Sequence, residues 1–274
     1  MIELEDSYVD IILKAMRGAG ITKKQIAKKF NIEHAKIKSL LSEQVNVENI
    51  ILIAGFLGLD AGKLIYSALN KNELVDIKIP CLRQFNLPYG EMLVNSYIIW
   101  EQNYGIAWIF DTGPDAKPII EFLIEKNLRV DGIFLTHTHR DHIACLDELR
   151  EKVGNPSVYV HQLEFIDGCE AIEEGFKDSL GSLSLETRHT HGHSVGGITY
   201  IISGLPNKLA IVGDAIFAGS MGGGMVSYED ALRTNREKIM SLPDETILCP
   251  GHGPMSTIGE EKKYNPFFPE FQGN

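Results

Sequence analysis

The spacing of apolar residues changes once along this chain, near residue 75. Ahead of that point it is helical: Ile11, Ile12, Ala15 and Met16 share a face until Gly18-Ala19-Gly20 stops the run. Thr22 is the expected cap of a second helix carrying Ile26, Ala27 and Phe30, with Asn31 making the turn. A third helix is expected over 33–42, with Ile37, Leu40 and Leu41 inward. A strongly apolar fourth follows over 47–59 and a fifth over 61–68. Beyond residue 75, segments 96–100 and 106–110 read as adjacent strands joined by a polar turn. Further strands are expected at 132–135, 158–160, 198–202, 209–212 and 246–248, with helices at 118–127, 142–153 and 228–242. Two halves, each of strands followed by helices, imply an α/β protein with packed sheets and helices outside, preceded by a small all-α domain. The boundary is expected between Asn70 and Asp76, giving units 1–72 and 73–274.

Composition narrows the class. At 274 residues, with 44% hydrophobic and 23% charged, the chain can bury a core and is not a disordered protein. Cys81, Cys145, Cys169 and Cys249 form no CxxC pair, which argues against a disulfide framework and for a reducing cytoplasm. The acidic start lacks the order of a signal peptide, and the longest apolar run, 50–59, is too short to span a bilayer. A cytoplasmic protein without a membrane partner is therefore expected. The net charge of −11 is unevenly shared. Residues 1–70 hold nine Lys/Arg against eight Asp/Glu, whereas 71–274 hold 17 against 29, which suggests modules with different partners.

Chemistry concentrates in Thr136-His137-Thr138-His139-Arg140-Asp141-His142, directly after an apolar run. Period-two spacing puts His137 and His139 on one side, able to share a metal, while Asp141 and His142 point toward a second. His193, Asp214 in Val212-Gly213-Asp214, and His252 in Pro250-Gly251-His252-Gly253-Pro254 are further candidate ligands. Imidazole and carboxylate without thiolate suit Zn²⁺, Fe or Mn²⁺, and Asp141 and Asp214 could accept a proton during turnover. Five of the nine histidines occupy these positions, which sets the pattern apart from scattered surface histidines.

Through these motifs, residues 77–268 resemble the metallo-β-lactamase superfamily, an αββα sandwich with metals at one sheet edge. The resemblance implies a first metal on His137, His139 and His193, a second on Asp141, His142 and His252, and Asp214 bridging them. Asp111 matches the family's early aspartate, a structural position at a strand end. Segment 213–219, Pro250–Pro254, Gly259-Glu260-Glu261 and Asn265-Pro266-Phe267 resemble the glyoxalase II (hydroxyacylglutathione hydrolase) branch. Two departures concern the carrier: the chain ends at Asn274 without that branch's helical C-terminal domain, and Ser220-Met221-Gly222-Gly223-Gly224 lacks its loop arginine. The glycine run reads as a mobile active-site loop rather than a phosphate cradle. His191 is divided between a role near the metals and packing. His161, His189 and Cys249 are expected to pack, and Arg140 to face outward.

In the first module, segment 21–32 resembles the second helix and turn of the Cro/phage-repressor helix-turn-helix family. That resemblance implies DNA binding, with His34, Lys36 and Lys38 toward the major groove and Lys23, Lys24, Lys28 and Lys29 near phosphates. Glu33 at the groove-entering end and Leu41 depart from the family, and no dimerising segment is identifiable, although a homodimer stays among the expected assemblies. The implied whole is a hydrolase binding two divalent cations, Zn²⁺ first with Fe or Mn as alternatives. A hydroxide shared by the cations would attack a carbonyl ester, a small-molecule thioester foremost. The rivals are a mononuclear iron persulfide dioxygenase or a lactonase on the same scaffold and, from another class, a metabolite-sensing transcriptional regulator.

Overall fold

The computed structural model describes residues 2–31, 41, 45–69 and 77–271. Four helices come first: α1 (Tyr8–Gly18), α2 (Lys23–Phe30), α3 (Val47–Leu57) and α4 (Ala61–Leu69). Their ends obey local chemistry. Ser7 and Thr22 each form a capping box, with Asp10 and Gln25 respectively, so that orphan backbone donors find side-chain acceptors. Asn31 closes α2 in the left-handed conformation, as its place in the sequence implied. The third helix expected over 33–42, its candidates His34, Lys36 and Lys38, and the boundary at 70–76 lie outside the described residues.

Two six-stranded sheets follow. The first runs β1 (Leu82–Tyr89), β2 (Met92–Glu101), β3 (Ile106–Phe110), β4 (Arg129–Phe134), β5 (Ser157–His161) and β6 (Glu170–Ile172), in that spatial order. It begins as an antiparallel meander and turns parallel from β3 onward, where α5 (Lys117–Glu125), then the short α6 (Arg140–Ile143) and α7 (Leu146–Lys152), supply the β3–β4 and β4–β5 crossovers, and a 3₁₀ turn over Gln162–Glu164 leads from β5 to β6. The second sheet comprises β7 (Lys177–Leu180), β8 (Leu183–His189), β9 (Ile198–Ser203), β10 (Leu209–Gly213), β11 (Ile247–Pro250) and β12 (Ser256–Thr257), with β7 and β12 at its edges. Only the β10–β11 pair is parallel; its crossover contains α8 (Tyr228–Thr234) and a π-helical turn over Asn235–Ile239. The single helix expected over 228–242 is thus shorter and changes winding. That expected over 142–153 is broken between Ile143 and Leu146, where Cys145 leaves helical geometry.

Three apolar clusters define the layers. Trp108, Phe110 and Phe134 from the first sheet meet Leu185, Tyr200 and Ile211 from the second, forming the seam between sheets. Ile119, Leu123, Leu146 and Leu149 cover the outer face of the first sheet. The outer face of the second, through Ile201, Ala210, Val212 and Leu248, belongs to one cluster with Ile11, Ile12, Ile53 and Leu64 of the leading helices and Phe267 and Phe268 near the end. The αββα sandwich is therefore preceded in sequence by helices that join its outer layer in space. Polar ties reinforce that join. Lys63 donates from Nζ to the carbonyls of Lys262 (2.8 Å) and Phe268 (2.7 Å), and the rings of Tyr66 and Tyr264, the latter in α9 (Ile258–Tyr264), stack at 4.5 Å. Among the described residues, no helix is long and apolar enough to cross a membrane.

Because the leading helices and the second sheet share a core, a cavity in one should be felt by the other. Ile12 is fully buried, and Ile12→Ala should cost about 2–5 kcal/mol. Both tryptophans, Trp100 and Trp108, lie in the first sheet, so their fluorescence reports on the sandwich alone. The urea midpoint read from tryptophan should fall with that read from total helicity. Two separated transitions, with the tryptophan midpoint unmoved, would contradict the shared core.

Candidate metal centre

The ends of β3, β4, β10 and β11, together with the loop after β8, converge at one edge of the sandwich. Strand β4 runs into Leu135, Thr136 and His137, and the chain then turns through His139 into α6, which carries Asp141 and His142. His137 Nε2 and His193 Nε2 lie 3.0 and 2.9 Å from His139 Nδ1. Asp214 Oδ2 stands 3.3 Å from His193 Nε2, while its Oδ1 stands 3.3 Å from His142 Nε2. His252 Nε2 is 3.3 Å from Asp141 Oδ2 and 3.5 Å from Asp214 Oδ2. Two groups able to hold a cation result: His137, His139, His193 and Asp214 in one, Asp141, His142 and His252 in the other. All seven residues singled out in the sequence are brought together, and Asp214 faces both groups.

The remaining nitrogen of most of these imidazoles is held from behind. His142 Nδ1 meets Asp111 Oδ2 at 2.8 Å, and Asp111 also accepts from Thr136 N and Thr136 Oγ1, both at 2.7 Å. Asp111 adopts φ 53°, a left-handed strain that aims its carboxylate into the site. His193 Nδ1 faces the Gly223 carbonyl at 2.9 Å and His252 Nδ1 that of Leu93 at 2.7 Å, which leaves Nε2 of each free for a ligand. A methyl group on Gly251 would strike the Asp214 carboxylate and the His142 ring, so only glycine lets this backbone pass.

The donor chemistry fits divalent cations. Nitrogen lone pairs at 2.9–3.0 Å repel unless a cation or proton lies between them. Although buried, His142 Nε2 and Asp214 Oδ1 have no hydrogen-bond partner. The electrostatics agree. Burial alone would lower the His142 and His252 pKa values. Instead, Asp214, helped by Asp111 at His142 and by Asp141 at His252, drives them up to about 10 and about 11. Those same imidazoles hold the Asp214 carboxyl well below the ordinary carboxylate range despite its burial. His137, where burial dominates, moves well below the ordinary imidazole value and stays a neutral donor.

Glu164, on a 3₁₀ turn after β5, is a residue the sequence reading missed. Its Oε2 accepts from Thr138 N (2.6 Å) and Thr138 Oγ1 (2.9 Å), and its Oε1 accepts from Gly196 N (2.8 Å). One carboxylate thereby joins the loops that carry His137, His139 and His193; no local motif could reveal a link that exists only across the fold. His191 joins neither group. Its Nε2 lies 3.7 Å from Asp230 and its ring is 4.5 Å from that of His189, which in turn stacks on His161. Cys249 is fully buried in the seam and Arg140 is exposed. In the glycine run, Ser220 and Met221 are each 1% exposed and Gly222 is buried, whereas Gly223 and Gly224 are half-buried.

Residues 89–252 match the family described as the metallo-beta-lactamase superfamily. The chain belongs to that superfamily. It is 34% identical over 211 residues to a probable metallo-hydrolase, YqgX, of Bacillus subtilis, covering 68% of this chain and 97% of the relative. It is 28% identical over 209 residues to the hydroxyacylglutathione hydrolase GloC of Haemophilus influenzae, covering 66% and 95%. Among solved structures, the BLEG-1 B3 metallo-beta-lactamase superposes with a TM-score of 0.59 at 29% identity, over 68% of this chain and 99% of that one. The leading helices precede the stretch that matches the superfamily.

Cation uptake by this superfamily member should release protons. The raised pKa values of His142 and His252 favour their protonated forms at pH 7, so a cation taken up at their Nε2 atoms would have to displace protons. Their pKa values are raised from 6.5, so their contribution to stability is complete below about pH 6.5. It is lost as pH rises through about 10 and then about 11. The cation-free protein should therefore lose melting temperature between pH 7 and 10 while the Zn²⁺-loaded protein does not. Zn²⁺ titration in weak buffer should also acidify the solution, and no proton release at pH 7 would contradict this charge arrangement.

Proposed function

We propose that this metallo-hydrolase binds two divalent cations, Zn²⁺ foremost, and hydrolyses a carbonyl ester, in particular a small-molecule thioester. The observation that carries the reading is Asp214, whose two oxygens face two separate groups of ligands. His137, His139 and His193 would hold one cation, Asp141, His142 and His252 the other, with Asp214 shared. Bound cations would lower the pKa of a water toward ~7 and stabilise negative charge developing on the carbonyl oxygen. Asp141, about nine-tenths buried with its Oδ2 3.3 Å from His252 Nε2, would be the group that takes up a proton from the nucleophile. His139 is the exposed member of the cluster, so substrate would approach from its side. The completeness of the Asp141, His142 and His252 group favours this two-cation chemistry over a single-iron oxygenase.

Similarity to a hydroxyacylglutathione hydrolase supports the thioester. Glutathione itself is disfavoured as carrier: loop 220–224 bears no basic side chain, and the Lys14 ammonium reaching it is engaged by Asp6 and the Met221 carbonyl. Metal analysis combined with a panel of thioesters, lactones and phosphodiesters tests the reading. Asp214→Asn and Asp141→Asn should each lower thioester kcat/KM by more than the ~10–100-fold typical of an outer-shell change. Full turnover after exhaustive chelation, or oxygen consumption in place of hydrolysis, would refute it.

A second reading concerns the leading helices. Their apolar faces pack on the hydrolase, whereas Lys23, Lys24, Lys28 and Lys29 of α2 are exposed, so the face left open is basic. That favours contact with nucleic-acid phosphates through these lysines and, from the sequence, His34, Lys36 and Lys38. Duplex DNA at 50 mM salt should bind with an affinity that falls steeply toward 200 mM, and replacing Lys23 and Lys24 by Gln should flatten that slope. No binding at 50 mM salt would remove this reading.

A further inference from the structure

We infer that the leading helical module is a positioning element of the metal centre, acting through an Asp6–Lys14 clamp on the loop after Asp214. The inference rests on the assignment of His193 and Asp214 as cation ligands.

The clamp is assembled from two sides. Lys14 Nζ on α1 meets Asp6 Oδ2 at 2.5 Å and donates to the Met221 carbonyl at 2.9 Å. Ser220 Oγ donates to the same Asp6 oxygen at 2.6 Å. The Lys14 ammonium also lies 4.7 Å from the centre of the Phe217 ring, which is itself 5.6 Å from that of His252. From the opposite side, Glu261 accepts from Gly219 N at 3.0 Å and Asn265 Nδ2 donates to the Ser220 carbonyl at 2.7 Å. Asp6, Ser220 and Met221 are all buried, so the pair works out of bulk solvent, where its charges are weakly screened.

What the clamp holds then touches the ligands. A methyl group on Gly222 would strike the Asp214 carbonyl and come within 3.1 Å of His193 Nδ1, so the loop backbone lies directly on both residues. The next carbonyl, of Gly223, is the partner that orients His193 through Nδ1. A continuous path runs from Asp6 and Lys14 through Ser220 and Met221 to Gly222 and Gly223, and from there to His193 and Asp214. Outer partners of this kind set the orientation and donor strength of a metal-binding imidazole. His193 belongs to the three-imidazole group alone, so the clamp should govern the first cation more than the second. Lys14 is accordingly a positioning residue, supplied by a segment that lies ahead of the stretch matching the superfamily.

The test uses the full chain carrying Lys14→Met, with Lys14→Arg as the conservative variant. Stepwise Zn²⁺ titration against a chromophoric chelator reads the two affinities, and Co²⁺ absorption separates the three-imidazole site from the mixed one. Lys14→Met should weaken the first cation ~10–100-fold and the second less than ~threefold, with Lys14→Arg recovering most of the loss. Equal weakening of both cations, or no weakening in a folded variant, would overturn the inference. Hydrogen exchange of the cation-free protein gives a second reading that needs no metal. Lys14→Met should speed exchange across 219–224 and leave 247–252 unchanged. Unaltered exchange would overturn the clamp even if both cations bind; failure of the wild type to bind cations, with exchange altered as expected, would count against the ligand assignment instead.

Discussion

Burying the Asp214 carboxylate is the constraint around which this molecule is organised. The group is 8% exposed and surrounded by imidazoles arriving from separate segments, and an isolated carboxylate at such a place would be strongly disfavoured. Compensation comes from His142, His193 and His252, which hold it ionised and, at His142 and His252, retain protons themselves. Each of those rings is in turn fixed on its far side, by Asp111, by the Gly223 carbonyl and by the Leu93 carbonyl. Positive charge is therefore demanded at the sheet edge whatever its source. Protons on His142 and His252 can supply it, and divalent cations would supply it as well.

The same demand explains why the site is made from strand ends. Strands β3, β4, β10 and β11 are anchored in the apolar layers and stop together, so the residues just beyond them inherit fixed positions. Asp111 follows β3, the histidine motif follows β4, Asp214 follows β10 and His252 follows β11. A loop unsupported by such strands could not hold charged groups 3.3 Å apart against their hydration. Where a loop has to contribute, as with His193 and residues 219–223, it is tied by buried and part-buried polar contacts: Glu164 on one side, Asp6, Lys14, Glu261 and Asn265 on the other.

How far the sequence discloses this arrangement follows from which interactions are local. Capping by Thr22, the turn at Asn31, strands such as Ile106–Phe110 and the histidine motif that enters the converging cluster depend on neighbours within a few residues, and all were legible. Strand β1 was not: it alternates from Gln84 to Tyr89, with Phe85 and Leu87 inward, but Arg83-Gln84 interrupts the period and Pro88 argues against a strand except at a sheet edge, where β2 pairs with it. Strand β8 alternates cleanly, with Leu183, Leu185 and Thr187 inward, and could have been found from period alone. The break at Cys145 and the π-turn after Thr234 answer to tertiary packing. Glu164 and Lys14 illustrate the deeper limit: each looks like an ordinary surface charge until the fold brings a partner 32 or 207 residues away to it.

The leading helices then acquire a meaning that their own sequence does not convey. A solvated helix-turn-helix unit would need only its internal core, with Ile12, Ile26 and Ile53 closing on one another. Here that core continues into the outer face of the second sheet, and the segment before α1 runs on to the candidate metal centre, where Glu5 Oε2 comes within 4.0 Å of His252 Nδ1. Burial holds the Glu5 carboxyl pKa above its ordinary value although His252 opposes the shift, a sign of how closely this segment is packed there. Separating the module from the sandwich would expose apolar surface on both and unseat Asp6 from Ser220. The hydrophobic effect that attaches the helices and the polar contacts that steady the site are thus properties of a single interface, and neither can be weakened without disturbing the other.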